Sequence, residues 1–225
     1  MTTTDSAHST IADRVAQMHE GMAGHVPDAI FKVFSAEQAG LDAAGVPAGS
    51  AKAGDVMPDA ELLDVHGVST TLAASRDGKP AVVVLYRGAW CAYCNLALRA
   101  YQEDLVPQLF DRGVVLIAIS PQKPDGSLSS QEKSDLTFAV LSDPGNQIAT
   151  ALGVLTAPTE DARGAQRTMG IDLAEANADG THAVPMPTVA VVDTAGVIRW
   201  IDVHPNYTTR SEVADIVAAV AGLDG

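Results

Sequence analysis

This chain of 225 residues has only two cysteines, Cys91 and Cys94. They are too few for a disulfide framework, and a core of this size folds without staples. Cations are scarce as well: 14 Lys and Arg stand against 28 Asp and Glu, a net charge of -14. Such a balance repels nucleic acid and anionic membrane surfaces, so neither is an expected partner. No apolar run approaches the roughly 20 residues that span a bilayer, and Met1 to Thr10 carry neither a cationic nor an apolar signal segment. Repeats and low-complexity tracts are missing too. The expectation is an acidic cytoplasmic protein with one close thiol pair, and in a reducing compartment such a pair is catalytic or metal-binding rather than structural.

Along the chain, Ile11, Val15, Met18 and Met22, then Ile30, Val33 and Phe34, fall at helical spacing and predict two helices. A segment rich in Ala, Gly and Pro, 43–54, links them to the rest, giving an expected helical extension over 1–50 and a main domain over 51–225. From there short strands alternate with helices. An edge strand is expected at 60–65, and buried strands at 81–86 and 114–119 flank a helix over 91–109, a parallel unit with a right-handed crossover. A helix at about 127–136, a strand at 138–141, the turn Ser142-Asp143-Pro144-Gly145 and a helix at 146–152 follow. Residues 157–185 read as a long loop with one short helix near 166–175. Strands at 188–192 and 197–203, joined by Asp193-Thr194-Ala195-Gly196, and a closing helix over 211–223 complete the pattern.

The pair thus sits where a buried strand feeds a helix. Unpaired N–H groups at a helix start carry about half a positive charge, which favours an anion there. A thiol of pKa about 8.5 falls to roughly 3.5–7.5 in such places, so Cys91 is the expected thiolate and Cys94, one turn on, the inward partner that closes a disulfide. Zinc or copper would need further ligands, and only His182 and His204 lie downstream. Two inert buried cysteines are the remaining alternative. His204 reads as a solvated loop histidine, Asp143 as turn chemistry, and Glu103 and Asp104 as solvent-side residues without a role.

The run Trp90-Cys91-Ala92-Tyr93-Cys94, followed by Met186-Pro187-Thr188 leading into a strand, resembles the thioredoxin superfamily. That resemblance implies a central mixed sheet flanked by helices, with Pro187 as the counterpart of a cis-proline stacked on the cysteine pair. Val83-Val84-Leu85-Tyr86, the run Val115 to Ser120, Phe138 to Asp143, and Val191-Val192-Asp193 with Gly196-Val197-Ile198 are similar to one branch: the alkyl hydroperoxide reductase and thiol-specific antioxidant family, the peroxiredoxins. The likeness covers about 53–225. It implies reduction of hydroperoxides through a cysteine sulfenic acid, with no metal or other cofactor.

The chain departs from that family at two places. The signature P-x-x-x-T-x-x-C, laid with its cysteine on Cys94, puts Arg87 at the proline and Cys91 at the threonine, and the family's late arginine falls on Met186. Arg87 is a candidate to supply the missing charge, although a surface arginine at the strand end is the competing reading. Trp90 and Tyr93 are expected to frame the site. Two orders of attack stay open, Cys91 first or Cys94 first, with Cys91 preferred. The functional expectation is a thiol peroxidase regenerated by a thioredoxin-type or low-molecular-weight thiol. The alternatives are a reductase of protein or small-molecule disulfides and a redox-sensing interaction protein. The N-terminal helices are a candidate homodimer surface.

Overall fold

The computed structural model describes residues 9–22, 25–125, 127, 131 and 135–224. Two helices come first, α1 (Ile11–Met22) and α2 (Asp28–Ala44), at the positions their apolar spacing predicts, and a short α3 (Leu72–Arg76) follows farther on. Seven strands then build one mixed sheet: β1 (Glu61–Leu63), β2 (Ser69–Thr71), β3 (Ala81–Leu85), β4 (Val115–Ser120), β5 (Ala139–Ser142), β8 (Thr188–Val192) and β9 (Ile198–Val203). Their order is β2-β1-β5-β4-β3-β8-β9. β3, β4 and β5 run parallel, while β8 lies antiparallel to β3, β9 to β8, and β1 to β5.

All five residues of β3 are buried because the sheet is covered on both faces. Alternation along the strand divides them. Val82 and Val84, with Tyr86 beyond, enter one core with the cysteines and Leu98, Tyr101 and Leu105, whereas Ala81, Val83 and Leu85 enter a second with Ile117, Ile148 and Leu152. The helix after β3 runs as α4 (Ala92–Ala100), a π-helical turn over Tyr101–Leu105, and α5 (Val106–Phe110). Pro107 has no N–H to donate and its ring would crowd the carbonyl four residues back, so the widened turn just before it relieves a conflict that a regular helix could not.

Expectation and structure differ in four places. The strand near 60–65 is not the edge: the Asp64 carboxylate accepts the N–H groups of His66 and Val68, both at 2.8 Å, and turns the chain so that β2 pairs outside β1. The segment 157–185 holds two helices, α7 (Glu160–Thr168) and α8 (Leu173–Ala176), besides β7 (Val184–Pro185), which pairs with β6 (Leu155–Thr156). Thr159 starts α7 by accepting the Ala162 N–H at 3.2 Å, a cap that outweighs weak periodicity. No described peptide bond is cis, so Pro187 follows Met186 in trans. The Met186 N–H donates to Val154 O at 2.8 Å, and the Thr188 hydroxyl donates to Met186 O at 2.9 Å. Asp104 is not a bare surface residue, since Arg14 of α1 pairs with it at 2.5 Å and with Glu103 at 2.8 Å.

The helix expected at about 127–136 lies largely outside the described residues. The last elements are α6 (Gln147–Ala151), which begins on Asp143, and α9 (Val213–Ala221). Asp143 accepts the N–H groups of Gln147 and Ile148, both at 2.9 Å, so the turn aspartate is also the helix cap. Glu212, just before α9, sends its carboxylate to the free N–H groups of Ile11 and Ala12 at 2.8 and 2.9 Å and so caps α1 from the far end of the chain. None of the described helices is long and apolar enough to cross a membrane.

Candidate active site

The cysteines are set by a pinned loop between β3 and α4. Gly88 has φ 140°, and a Cβ there would lie 2.5 Å from Trp90 Nε1, so only glycine fits. The buried Gln122 side chain accepts the Ala89 N–H at 2.7 Å, and Asn95 donates to Ala89 O at 2.7 Å. Cys91 is the residue before the first turn of α4, and its carbonyl accepts the N–H groups of Cys94 and Asn95 at 3.0 and 3.1 Å. Both sulfurs are free thiols, 3% and 1% exposed. Cys91 therefore has no advantage in exposure over Cys94.

A residue that the sequence did not single out contributes to the charge of the pair. Arg210 is buried in the loop between β9 and α9, with Nη2 3.0 Å from Cys94 Sγ and 3.9 Å from Cys91 Sγ. Its Nη1 donates to the carbonyls of Tyr207 and Thr209 at 2.7 and 2.5 Å. Burial pushes the Cys91 thiol well up, and its sulfur–sulfur hydrogen bond with Cys94 pushes the same way. Burial also raises Cys94, but the Cys91 contact, the Arg210 guanidinium and the Arg87 backbone N–H outweigh it and bring that thiol down to about 5. The negative charge rests on Cys94 and the proton on Cys91, the reverse of what the helix start alone predicts. Only the fold brings Arg210 to the cysteines; the sequence signal for it was its position as the last cation in the chain.

The loop holding Arg210 is braced on both sides. His204 Nδ1 lies 2.7 Å from Thr209 Oγ1, its Nε2 pairs with Asp202 at 2.8 Å, and Ser211 donates to the same carboxylate at 2.7 Å. Tyr101 donates to Ser211 O at 2.8 Å. His204 is thus a bonded, half-buried group and not a solvated loop histidine, because the loop folds back over it.

Arg87, Trp90, Tyr93 and the cysteines come together, as their closeness in sequence requires. The Arg87 guanidinium is 4% exposed and lies between the rings of Trp90 and Tyr207, at 4.8 and 4.1 Å. It is no surface arginine. Tyr93 bonds His19 of α1 at 2.8 Å. Tyr207 donates to Glu37 of α2 at 2.9 Å, and the other oxygen of Glu37 accepts the Thr159 N–H at 3.0 Å. The N-terminal helices therefore reach the site itself.

Two spaces adjoin the pair. Cys94, Pro187, His204 and Arg210 line a small inner pocket of about 10 Å³. Cys91, Arg87, Trp90 and Tyr93 line an outer cleft of about 510 Å³, walled by α1, α2 and the segment around Gln166. Met186 packs in the second core and, with Pro187 and Arg87, borders a separate niche beside Glu37. Among the described residues no group of three or more His, Cys, Asp or Glu side chains could hold a metal ion.

A mixed sheet between helices, with the cysteines where central β3 meets α4, defines a thioredoxin-like α/β protein. Solved structures agree: peroxidoxin BcpB of Mycobacterium tuberculosis superposes with a TM-score of 0.59 at 19% identity, covering 76% of this chain and 97% of that one. Reduced Prx3 of Vibrio vulnificus in complex with hydrogen peroxide gives 0.61 at 20%, covering 76% and 99%. The family model described as AhpC/TSA matches residues 53–201, and the chain belongs to that family. Among curated relatives, peroxiredoxin Bcp of Escherichia coli is 30% identical over 103 residues, 46% of this chain and 65% of that protein. The thiol-disulfide oxidoreductase ResA of Geobacillus thermodenitrificans is 31% identical over 107 residues, 47% and 60% of the two chains. The chain spans 60–65% of the length of the curated relatives it matches.

Proposed function

We propose that this protein is a thiol peroxidase in which the Cys94 thiolate attacks a hydroperoxide. The observation that carries the reading is the Arg210 guanidinium 3.0 Å from Cys94 Sγ. A guanidinium there stabilises the attacking thiolate and can hydrogen-bond the peroxide oxygens, the task that the family's missing threonine and arginine leave open. In the step, Cys94 sulfur takes the near peroxide oxygen, the O–O bond breaks, and the departing oxygen leaves as water or alcohol after protonation. Cys91 then attacks the Cys94 sulfenic acid, releasing water and closing the Cys91–Cys94 disulfide. Two electrons from an external thiol, thioredoxin-type or small, return the pair to the dithiol.

Working in the cytoplasm suits this cycle, because the disulfide must be reduced after each turnover. The division near residue 50 and a homodimer through the N-terminal helices belong to the same proposal; the family match beginning at residue 53 supports the former. The test is to replace each cysteine by serine, add hydrogen peroxide and trap the sulfenic acid. An adduct on C91S and none on C94S is expected; an adduct on C94S alone returns the attacking role to Cys91.

A second reading, reduction of protein or small-molecule disulfides, is favoured by the C-x-x-C spacing and the likeness to ResA. Rates for hydrogen peroxide and a model disulfide, measured in competition on the reduced protein, separate the two. Peroxide should win by at least about tenfold, a barrier difference of about 1.4 kcal/mol.

A further inference from the structure

The two sulfurs face different spaces: Cys94 lines the inner pocket and Cys91 the outer cleft. The cleft, at about 510 Å³, falls in the range of small-molecule sites and is far larger than hydrogen peroxide needs. Its walls are mostly apolar, with Met22, Phe31 and Phe34 from the N-terminal helices facing Met169 and Ile171. Three polar groups that line it make no hydrogen bond, the buried Trp90 Nε1 among them. Gln166 is 4% exposed and its Oε1 has no hydrogen bond. Among the described residues the buried Arg87 guanidinium makes no ion pair or hydrogen bond, only its two ring contacts, and lies beside Cys91 in the cleft wall. In the dithiol the Cys94 thiolate supplies a negative charge that Arg87 feels; closing the disulfide removes that charge and leaves the buried cation without an anion, which an entering one would replace.

We propose that this cleft binds a low-molecular-weight thiol with an apolar body, which enters as its thiolate against Arg87 and attacks the Cys91 sulfur of the Cys91–Cys94 disulfide. The inference rests on the disulfide of the functional reading and adds where and by what it is reduced. Incoming sulfur bonds to Cys91 sulfur, the Cys91–Cys94 bond breaks, and Cys94 leaves as thiolate beside Arg210. A second thiol then attacks the bound thiol's sulfur, releasing a small disulfide and Cys91, which takes up the proton. Two thiols are oxidised and one protein disulfide is reduced. Direction of attack follows from the leaving group, since the sulfur that is the better thiolate departs faster, and Arg210 makes that Cys94. The chain's net charge of -14 repels free thiolates, so a local cation is what admits one.

The test uses full-length protein oxidised with diamide, so it stands whether or not the protein reduces peroxide. Reduction is followed by mass spectrometry after alkylation of the freed thiols, with benzyl mercaptan and with 2-mercaptoethanol, a small polar thiol of similar acidity. Saturating kinetics and a rate at least about tenfold higher at equal concentration are expected for benzyl mercaptan. Met169→Asp, on an exposed position that the fold tolerates, should raise the half-saturating concentration of benzyl mercaptan more than tenfold. Arg87→Gln should slow both thiols. Linear kinetics with equal rates for the two thiols overturn the proposal, as does reduction by thioredoxin alone or failure of diamide to form the disulfide. Peroxide-dependent oxidation measured separately reports on the functional reading and leaves this result unaffected.

Discussion

Arg210 adds a buried positive charge to the Cys91 hydrogen bond in favouring a thiolate on Cys94. Replacing it with glutamine keeps two N–H donors but removes the charge that offsets burial of the Cys94 sulfur, so the Cys94 pKa should climb from about 5 toward its unperturbed range. At neutral pH the thiolate fraction then drops from nearly all to a few per cent, about a thirtyfold loss of reaction rate with peroxide. In the wild-type protein the rate should stay flat as pH falls from neutral and decline only on passing through about 5, because only the thiolate reacts. In R210Q that midpoint should move upward by several pH units. Stopped-flow oxidation rates across pH on both proteins check the sign, and an unmoved midpoint would remove Arg210 from the mechanism. Gly88 carries a second residue-scale prediction. Gly88→Ala meets both a φ of 140° and the Trp90 ring, and should cost about 1–3 kcal/mol together with a change in tryptophan fluorescence. Cys91, Cys94 and their near neighbours were legible in sequence because they lie within one strand-to-helix junction. Arg210 was not, since its nearness to Cys94 spans 116 residues and no local periodicity encodes it.

The elements that sequence patterning found are those whose surroundings are uniform. β3, β4 and β8 are buried on both faces and read as unbroken apolar runs, and β9 follows β8 through the Asp193–Gly196 turn. β2 and α7 escaped because their stability comes from side-chain bonds, Asp64 to the backbone in one case and the Thr159 cap in the other. The N-terminal helices were legible as helices, but their docking was not. Glu37 is the test of that docking. Glu37→Ala leaves the buried Tyr207 hydroxyl and the Thr159 N–H without their acceptor, which should cost about 1–3 kcal/mol. Glu37→Gln keeps an acceptor and should cost clearly less. Thermal unfolding of the two variants, with the fluorescence of the Trp90 that stacks on Arg87, separates a loosened site from a globally weakened fold. Glu212→Ala removes the acceptor of the Ile11 and Ala12 N–H groups while Thr10 still caps the Asp13 N–H, and should cost about 0.5–2 kcal/mol, read as faster amide exchange confined to the first turn of α1.

At the scale of the whole molecule, charge governs encounter. With 28 acidic residues against 14 basic ones, the protein repels anionic reductants over distances of about a Debye length, roughly 10 Å at 0.1 M salt. Raising ionic strength should therefore speed reduction of the disulfide by a thiol bearing additional carboxylates and leave reduction by a thiol with a neutral body nearly unchanged. Rates at low and high salt for such a pair make the comparison. The overall class was legible because the alternation of strand and helix, with the thiols at one junction, admits few topologies. The cleft was not, because its walls come from α1, α2 and the segment near Gln166, which meet only after folding.

The distance in sequence between Arg210 and Cys94 also sets a schedule. A growing chain exposes its two cysteines more than a hundred residues before the arginine is made. At about 5–20 residues per second, the pair spends several seconds or more outside the ribosome as common thiols, mostly protonated and slow to oxidise. Reactivity arrives with the last loop and with α9, whose leading glutamate also clasps α1 into place. On the proposed mechanism the protein is thus chemically quiet while it is unfinished, and a copy that is unfolded or truncated before residue 210 is disarmed in the same way.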